Sequence, residues 1–539
     1  MQKSKWCMLL GLLLVLAGGI AFSFLDTGGS RQRVQQHLVS ASEEELPADE
    51  TGSVVPDELL EAEPAAFNQA AADYLGDKLT THLPILVLTT SGETIPGKPL
   101  VENGIHTGFI SGDQGQSEIV ASYRIIDQEG SWHHVGDAAS EEGSCLFRIR
   151  GNSSRWFDKS SYRMRLVDGM APGDLVTQDM DVQTIKKSLM GMEKGDEWAL
   201  YGPFLDKTLI RNYMWMNLSG LIMPGWTPNV RFCEVILDGS YQGVYVLMEM
   251  IDVSADRLNL EKYSEGDLAT SYVVRIEPNI SYEKYIHNFT FYTYRMEPGR
   301  KMELIYPGLK YQNDTVKQYV QTDFSQVERM VFESTSVGTQ GVFSSPAWKS
   351  QVDLDSFVDY YIIEEFLGVN DVFSASTYFY RNVRGKLAIG PVWDFNNSLD
   401  NFFTPLPEEG FMLSQRGWFG QLLKDEAFAK KVIRRYRQLR SGILSDENLL
   451  AYIQETEGYL GSSIDRNYAV WGYSFNTDNL DYRQYKSPEQ GSDTHLEALN
   501  PDSYEEANEW MVEYMLARAA WLDDNIDSLL QYSHPSKNQ

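Results

Sequence analysis

Cysteine is scarce in this chain, with three residues, Cys7, Cys145 and Cys233, among 539. That is too few for a disulfide framework. Cys145 and Cys233 fall in strand-like runs and read as small buried hydrophobes. Positive charge is also short. Lys and Arg number 46 against 76 Asp and Glu, a net charge of −30. Without spare cations to neutralise a phosphate backbone, nucleic acid is excluded as a partner. The eight histidines are scattered; His133 and His134 are adjacent and cannot share one strand face. No H-E-x-x-H, C-x-x-C or G-x-S-x-G occurs, so zinc hydrolase and serine esterase readings lack support. The absence of G-x-x-x-x-G-K-[ST] removes the P-loop reading. There is no internal repeat and no Gly/Ser linker. A glycosidase reading has only the abundance of acids behind it.

Hydrophobic residues make up 42% of the chain, which at this length supports a large core and more than one domain. From Trp6 to Leu25 twenty positions carry no charge, and Lys3 and Lys5 precede them. This run is long enough to span a bilayer, with the N-terminus in the cytoplasm and the rest outside. The expectation is a single-pass anchor at 1–25. A cleaved signal ending near Ala21 or Ser23 is the alternative; a lipoprotein signal is disfavoured, because Cys7 comes too early. Residues 26–77 hold no Lys or Arg after Arg33. Nine acids fall between Glu43 and Glu63, with Pro47, Pro56 and Pro64 among them. This stretch reads as a disordered acidic tether, with a short helix near Ala65–Leu75.

Strand patterns follow at 85–89, 119–126 and 145–150, then at 162–166, 198–201, 231–237 and 243–250. The last two are joined across Asp238-Gly239, a hairpin signal. Further strands are expected at 273–276, 288–294 and 303–306, and a helix at 314–332. Asp206 reads as the cap of a helix closing near Gly220. Beyond Phe403 helical periodicity takes over, at 427–444, 446–460 and 505–530. The organisation expected is 78–403 as one domain and 404–539 as a helical subdomain.

Between Arg148 and Arg165 lie six basic residues (Arg148, Arg150, Arg155, Lys159, Arg163, Arg165) and one acid, Asp158. In so acidic a chain this concentration reads equally as an anion site on a rigid sheet or as a sheet face paired with acids elsewhere. Glu249, at a strand end, is either a polar handle at a nucleotide pocket or a plain strand-end carboxylate; the second is favoured.

The stretch 353–400 is the densest in chemical signals. Asp355 reads as the cap of a helix ended by Gly368. A polar loop with Asn370 and Asp371 comes next, then two short strands, 378–381 and 387–393, turning at Arg384-Gly385. The second delivers Asp394-Phe395-Asn396. Helix, aspartate loop, hairpin and Asp-Phe-x is the order in which a kinase presents its carboxylates. A hairpin brings its ends together, so Asp371 and Asp394, 23 residues apart, are able to face one phosphate. The competing reading is a buried helix and hairpin with two ordinary turn aspartates.

Four runs in order, RGNSSRWFDKSSYRMRL (150–166), WALYGPFLDKTLIRN (198–212), VRFCEVILDGSYQGVYVLMEMID (230–252) and GVND…YFYRN…GPVWDFN, resemble the spore-coat protein H (CotH) kinase family. The resemblance runs from about Leu83 to Asn401. It implies an α+β fold: an atypical protein-kinase-like core, with a β-rich N-terminal segment and a helical C-terminal subdomain. It also implies transfer of phosphate from ATP, with Mg²⁺ or Mn²⁺, to Ser or Thr of a surface or spore-coat protein. Asp371 matches the catalytic-loop aspartate and Asp394 the metal aspartate of a W-D-x-D motif. Lys159, Arg163 and Arg165 match basic positions after R-G-N-S-S, with Arg150 opening that run. Three departures stand out. Asn396 replaces the second acid of W-D-x-D. Ser376 and Thr377 occupy the places of a metal-binding asparagine, unless Asn397 or Asp400 substitutes. Ser160 replaces a frequent lysine. The alternative these departures imply is an inactive CotH-fold binding or assembly module. The acidic surface favours basic Ser/Thr segments as substrates.

Overall fold

The computed structural model describes residues 33–534 apart from 61–64, 178–179, 181, 278–285, 287–300, 335–345, 370, 402–404 and 482–499. Val34–Gln539 forms one compact unit. Helix α1 (Gln69–Lys78) precedes the barrel, capped by the Asn68 side chain, which accepts from the Ala71 amide. Seven strands then close a barrel: β1 (Ile85–Thr89), β2 (Ile119–Ile126), β3 (Glu141–Ile149), β4 (Tyr162–Val167), β5 (Glu197–Tyr201), β6 (Val230–Leu237) and β7 (Ser240–Glu249). The order is β6-β7-β5-β4-β3-β2-β1, and β1 closes on β6 in parallel through Ile85↔Glu234 to Leu88↔Leu237. The β6–β7 turn uses Asp238 and Gly239 at φ 48° and 82°, the left-handed pair that a two-residue hairpin needs. Inward residues alternate along each strand and fill the barrel. Cys145 and Cys233 are both fully buried there, as the strand pattern predicts, and burial pushes both thiols up.

Between β5 and β6 lies helix α2 (Arg211–Ile222). A second sheet follows, of β8 (Tyr272–Glu277), β9 (Lys301–Tyr306), β10 (Thr377–Arg381) and β11 (Leu387–Ile389), in the antiparallel order β9-β8-β10-β11. Helices α3 (Asp314–Ser334) and α4 (Leu354–Leu367) precede β10. Then come α5 (Glu426–Arg440), α6 (Asp446–Leu460), α7 (Ser463–Trp471) and α8 (Tyr504–Asn525). One apolar core joins α2, the second sheet, α3–α6 and α8. The helices and strands expected from periodicity lie within a few residues of these bounds. The strand expected at 288–294 lies outside the described residues.

Three expectations need correction. The cap of α4 is Asp353, not Asp355: its carboxylate accepts from the Asp355 and Ser356 amides. The membrane placement does not stand. Among the described residues no helix is long and apolar enough to cross a membrane, and Trp6–Leu25 lies outside them. Residues 34–60 also do not trail as a tether. β6 pairs with β1 only from Glu234 onward, which leaves the edge at Phe232 open. The Gln36 carboxamide closes it, donating to the Phe232 carbonyl at 3.1 Å and accepting from its amide at 2.7 Å. Glu43 accepts from the Ser462 amide, and Glu50 lies 2.6 Å from the His134 ring. Glu43 and Glu50, which composition assigns to disorder, are thus placed by specific polar partners, while Leu46 and Val55 are buried.

Candidate active site

The candidate site lies where the end of β3, the loop after α4 and the segment after β11 meet. Gly368, at φ 65°, ends α4 in the left-handed conformation. The chain then turns at Asp371, whose carbonyl accepts from the Ser374 and Ala375 amides at 2.7 and 2.8 Å. The Thr377 hydroxyl accepts from the Phe373 amide at 2.8 Å and locks the loop to the start of β10. After β11, Asp394 takes φ 72° and a short 3₁₀ turn, Phe395–Asn397, follows. Helix α2 holds this turn from behind: Asn212 Oδ1 accepts from the Phe395 amide at 2.8 Å, and Arg211 Nε donates to the Ser398 carbonyl at 3.0 Å.

The two aspartate loops touch. Asn397 Nδ2 donates to Asp371 Oδ2 at 3.4 Å, and Asn396 Nδ2 donates to Asn397 Oδ1 at 2.8 Å. Burial raises the Asp394 carboxyl to about 6, and the Asp371 charge pushes the same way, against Arg150. Arg150 follows β3 directly. Its guanidinium lies 5.4 Å from the centroid of the Trp393 ring, beside Asp394. Gly151 lets the chain turn there: it sits at φ +112°, and a Cβ would lie 1.9 Å from Ser154 Oγ.

β8 adds residues from the other side. Arg275 donates to the Tyr378 hydroxyl at 3.2 Å and pairs with Glu303 through Nε at 3.1 Å. Glu277 closes β8, is buried, and sits across the ladder from the end of the Asp371 loop, since Ile276 pairs with Thr377. From α4, Glu364 points its buried carboxyl toward the Tyr360 hydroxyl; burial raises it to about 8, and Asp371 adds to the effect.

The structure brings together Arg150, Asp371, Asp394 and Asn396 of the residues expected from sequence. It holds the others in different contacts. Lys159 is 1% exposed. Its Nζ donates to the Val244 carbonyl at 2.8 Å and to Asn467 Oδ1 at 2.6 Å, so its bonds close inside the protein. Arg163 and Arg165, with Arg148, converge on Glu118 at 2.9–3.1 Å, and Arg163 also pairs with Glu197. The reading of this run as a sheet face paired with acids therefore holds for them. Glu249 accepts from the amides of Glu193 and Asn229 at 2.6 and 2.8 Å, a strand-end carboxylate that pins two loops. The expected site residues did not include Arg275, Glu277, Glu364 or Asn212. The alternation in VVRIE puts Arg275 and Glu277 on one strand face, which was the available signal. Nothing local marks Glu364 inside an apolar helix.

A family model described as CotH kinase protein matches residues 147–522. The chain belongs to the CotH kinase family. The match spans the barrel from the end of β3, the second sheet and the helices through most of α8. A search of curated proteins returns no match. Membership makes the protein kinase-like, and the residues present fit the divalent cation such a reaction uses. Asn396 Oδ1 is buried without a hydrogen-bond partner, a free neutral oxygen two residues from the Asp394 carboxylate. Among the described residues no three His, Cys, Asp or Glu side chains gather closely enough to hold an ion alone. Mg²⁺ sites are commonly of that kind, with one or two carboxylates completed by waters and phosphate oxygens. Past Asp394 the chain borders a cavity of about 230 Å³ lined by Lys207, Arg211, Asp400, Glu408, Trp510 and Tyr514.

The Glu364 carboxyl makes stability depend on pH. Its folded value, about 8, lies above the ordinary 4.5, so the folded state binds the extra proton and stability falls as pH rises from 4.5 to 8. Glu364→Gln removes that slope. Urea denaturation should show the variant gaining roughly 3 kcal/mol relative to wild type between pH 5 and pH 7.5. A constant difference between the two pH values contradicts the assignment.

Proposed function

We propose that this CotH kinase family protein transfers the γ-phosphate of ATP to a Ser or Thr hydroxyl of a protein substrate, with a surface or spore-coat protein as the class. The observation that carries the reading is the convergence of Asp371 and Asp394 through Asn397, with the Arg150 guanidinium beside them. Asp371 orients the acceptor hydroxyl and receives its proton. Arg150, which forms no ion pair within 4.0 Å among the described residues, contacts phosphate oxygens. Asp394 and Asn396 Oδ1 hold Mg²⁺ or Mn²⁺, whose charge offsets that of the phosphates. The acids Asp400 and Glu408 beside the Asp394 loop favour a basic acceptor segment.

A second reading has its own observation. Asn396 supplies a neutral oxygen where the family pattern has an acid, and Ser376 stands where it has an asparagine. A binding or assembly module that does not transfer phosphate accounts for both. The test is autophosphorylation of the full chain with labelled ATP, in Mg²⁺ and separately in Mn²⁺, beside Asp371→Asn. Label that falls by about 10²-fold or more in the variant supports the kinase. No label in wild type, together with no metal-dependent thermal shift by ATP, leaves the module reading.

A further inference from the structure

Resting on the phosphate-transfer reading above, we infer that Glu277 is a second carboxylate for the nucleotide's divalent cation, delivered from β8 into the place where the aspartate loop has Ser376. The backbone puts it there. Ile276 pairs with Thr377 across the β8–β10 ladder, so Glu277, the next residue of β8, reaches the end of the Asp371 loop. Ser376, at φ 48°, is the residue before Thr377 and so stands across from Glu277 where the ladder ends. Residue 376 thus offers the site no side-chain amide, and a carboxylate from the neighbouring strand stands opposite it.

The charges around Glu277 leave it underused within the chain. The nearest cation is Arg275, and Glu303 takes that guanidinium: Arg275 Nη2 lies 2.5 Å from Glu303 Oε2 but Nε lies 3.8 Å from Glu277 Oε2. No other ion pair engages Glu277 among the described residues. Asp371, Asp394 and Glu277 repel one another, and Arg150 and Arg275 are the cations acting against them. An unpartnered oxygen lies in the same region: Asn396 Oδ1 is buried without a partner. An excess of buried anionic and neutral oxygens, with too few donors, is the donor set of a hard divalent cation.

The decisive measurement is Mn²⁺ affinity of the full chain, by electron paramagnetic resonance, with the β,γ-imido analogue of ATP present. Glu277→Gln should weaken Mn²⁺ binding by about 10-fold or more, while affinity for the analogue without metal stays within about twofold. Glu277→Asp, which shortens but keeps the carboxylate, should fall between the two, and it carries the test if Glu277→Gln does not fold. A purely structural role would lower the melting temperature and move both affinities together. Mn²⁺ affinity unchanged in folded Glu277→Gln overturns the inference and leaves the kinase reading standing. Wild type that binds no Mn²⁺ with the analogue overturns both.

Discussion

Replacing Asp394 by asparagine should lower phosphate transfer by about 10³-fold or more while leaving the fold at least as stable. The two effects have one cause. The carboxylate sits where burial and Asp371 both resist its charge, which is why it is raised to about 6. Holding that charge at neutral pH costs about 3 kcal/mol, and asparagine removes the cost with the ligand. Asparagine is a cleaner substitution than alanine, because residue 394 sits at φ 72° and Asn tolerates the left-handed region better. Labelled transfer and thermal melts on the same samples check the prediction. Loss of transfer with an unchanged or raised melting temperature places Asp394 in the chemistry. Loss of both means the substitution has disturbed the turn that Asn212 holds.

Arg466→Ala should destabilise the protein by about 3–5 kcal/mol, measured by urea denaturation. The Arg466 and Glu234 side chains are 1% and 0% exposed. Two hydrogen bonds join them, at 2.9 and 2.8 Å, and Arg466 also donates to Thr81 Oγ1 and Ser462 Oγ. Removing the guanidinium strands the Glu234 carboxylate inside the barrel wall, with only neutral donors left such as the Tyr241 hydroxyl. Most of the loss is the penalty of that bare charge, not the worth of the pair. Arg466→Met combined with Glu234→Gln should therefore lose less than Arg466→Ala alone. If the double variant loses as much, the cost lies in packing rather than in charge.

Much of the framework was legible in the sequence, because two-residue and 3.6-residue periodicities are local properties. Strand β2 matches its expected span, and Gly368 and Asp238-Gly239 mark their turns through backbone conformations that few other residues adopt. The pairing of Asp371 with Asp394 followed from the length of the hairpin between them. What was not legible was long-range. Whether Arg163 and Arg165 serve a ligand or Glu118 depends on a residue more than 40 positions away, just before β2. Lys159 looks like a phosphate contact until α7 supplies Asn467, 308 residues on. The acidic N-terminal run failed for a related reason. Composition measures how much apolar surface a segment can bury, but Gln36 and Glu43 are placed by polar partners that composition does not see.

The placement of residues 34–46 has a mechanical consequence. A pull applied to the chain at Val34 meets almost no slack. Within two residues it reaches the backbone of Phe232 in the barrel wall, and within ten it reaches Ser462 at the entry to α7. A tension of that kind loads the barrel and the C-terminal helices at the same time, through side-chain clamps of modest individual strength. The segment behaves as a stiff strut that yields by releasing its clamps, not as an entropic spring. Its resistance to extension is set by the Gln36 and Glu43 contacts, and shortening the chain before Val34 leaves that resistance unchanged.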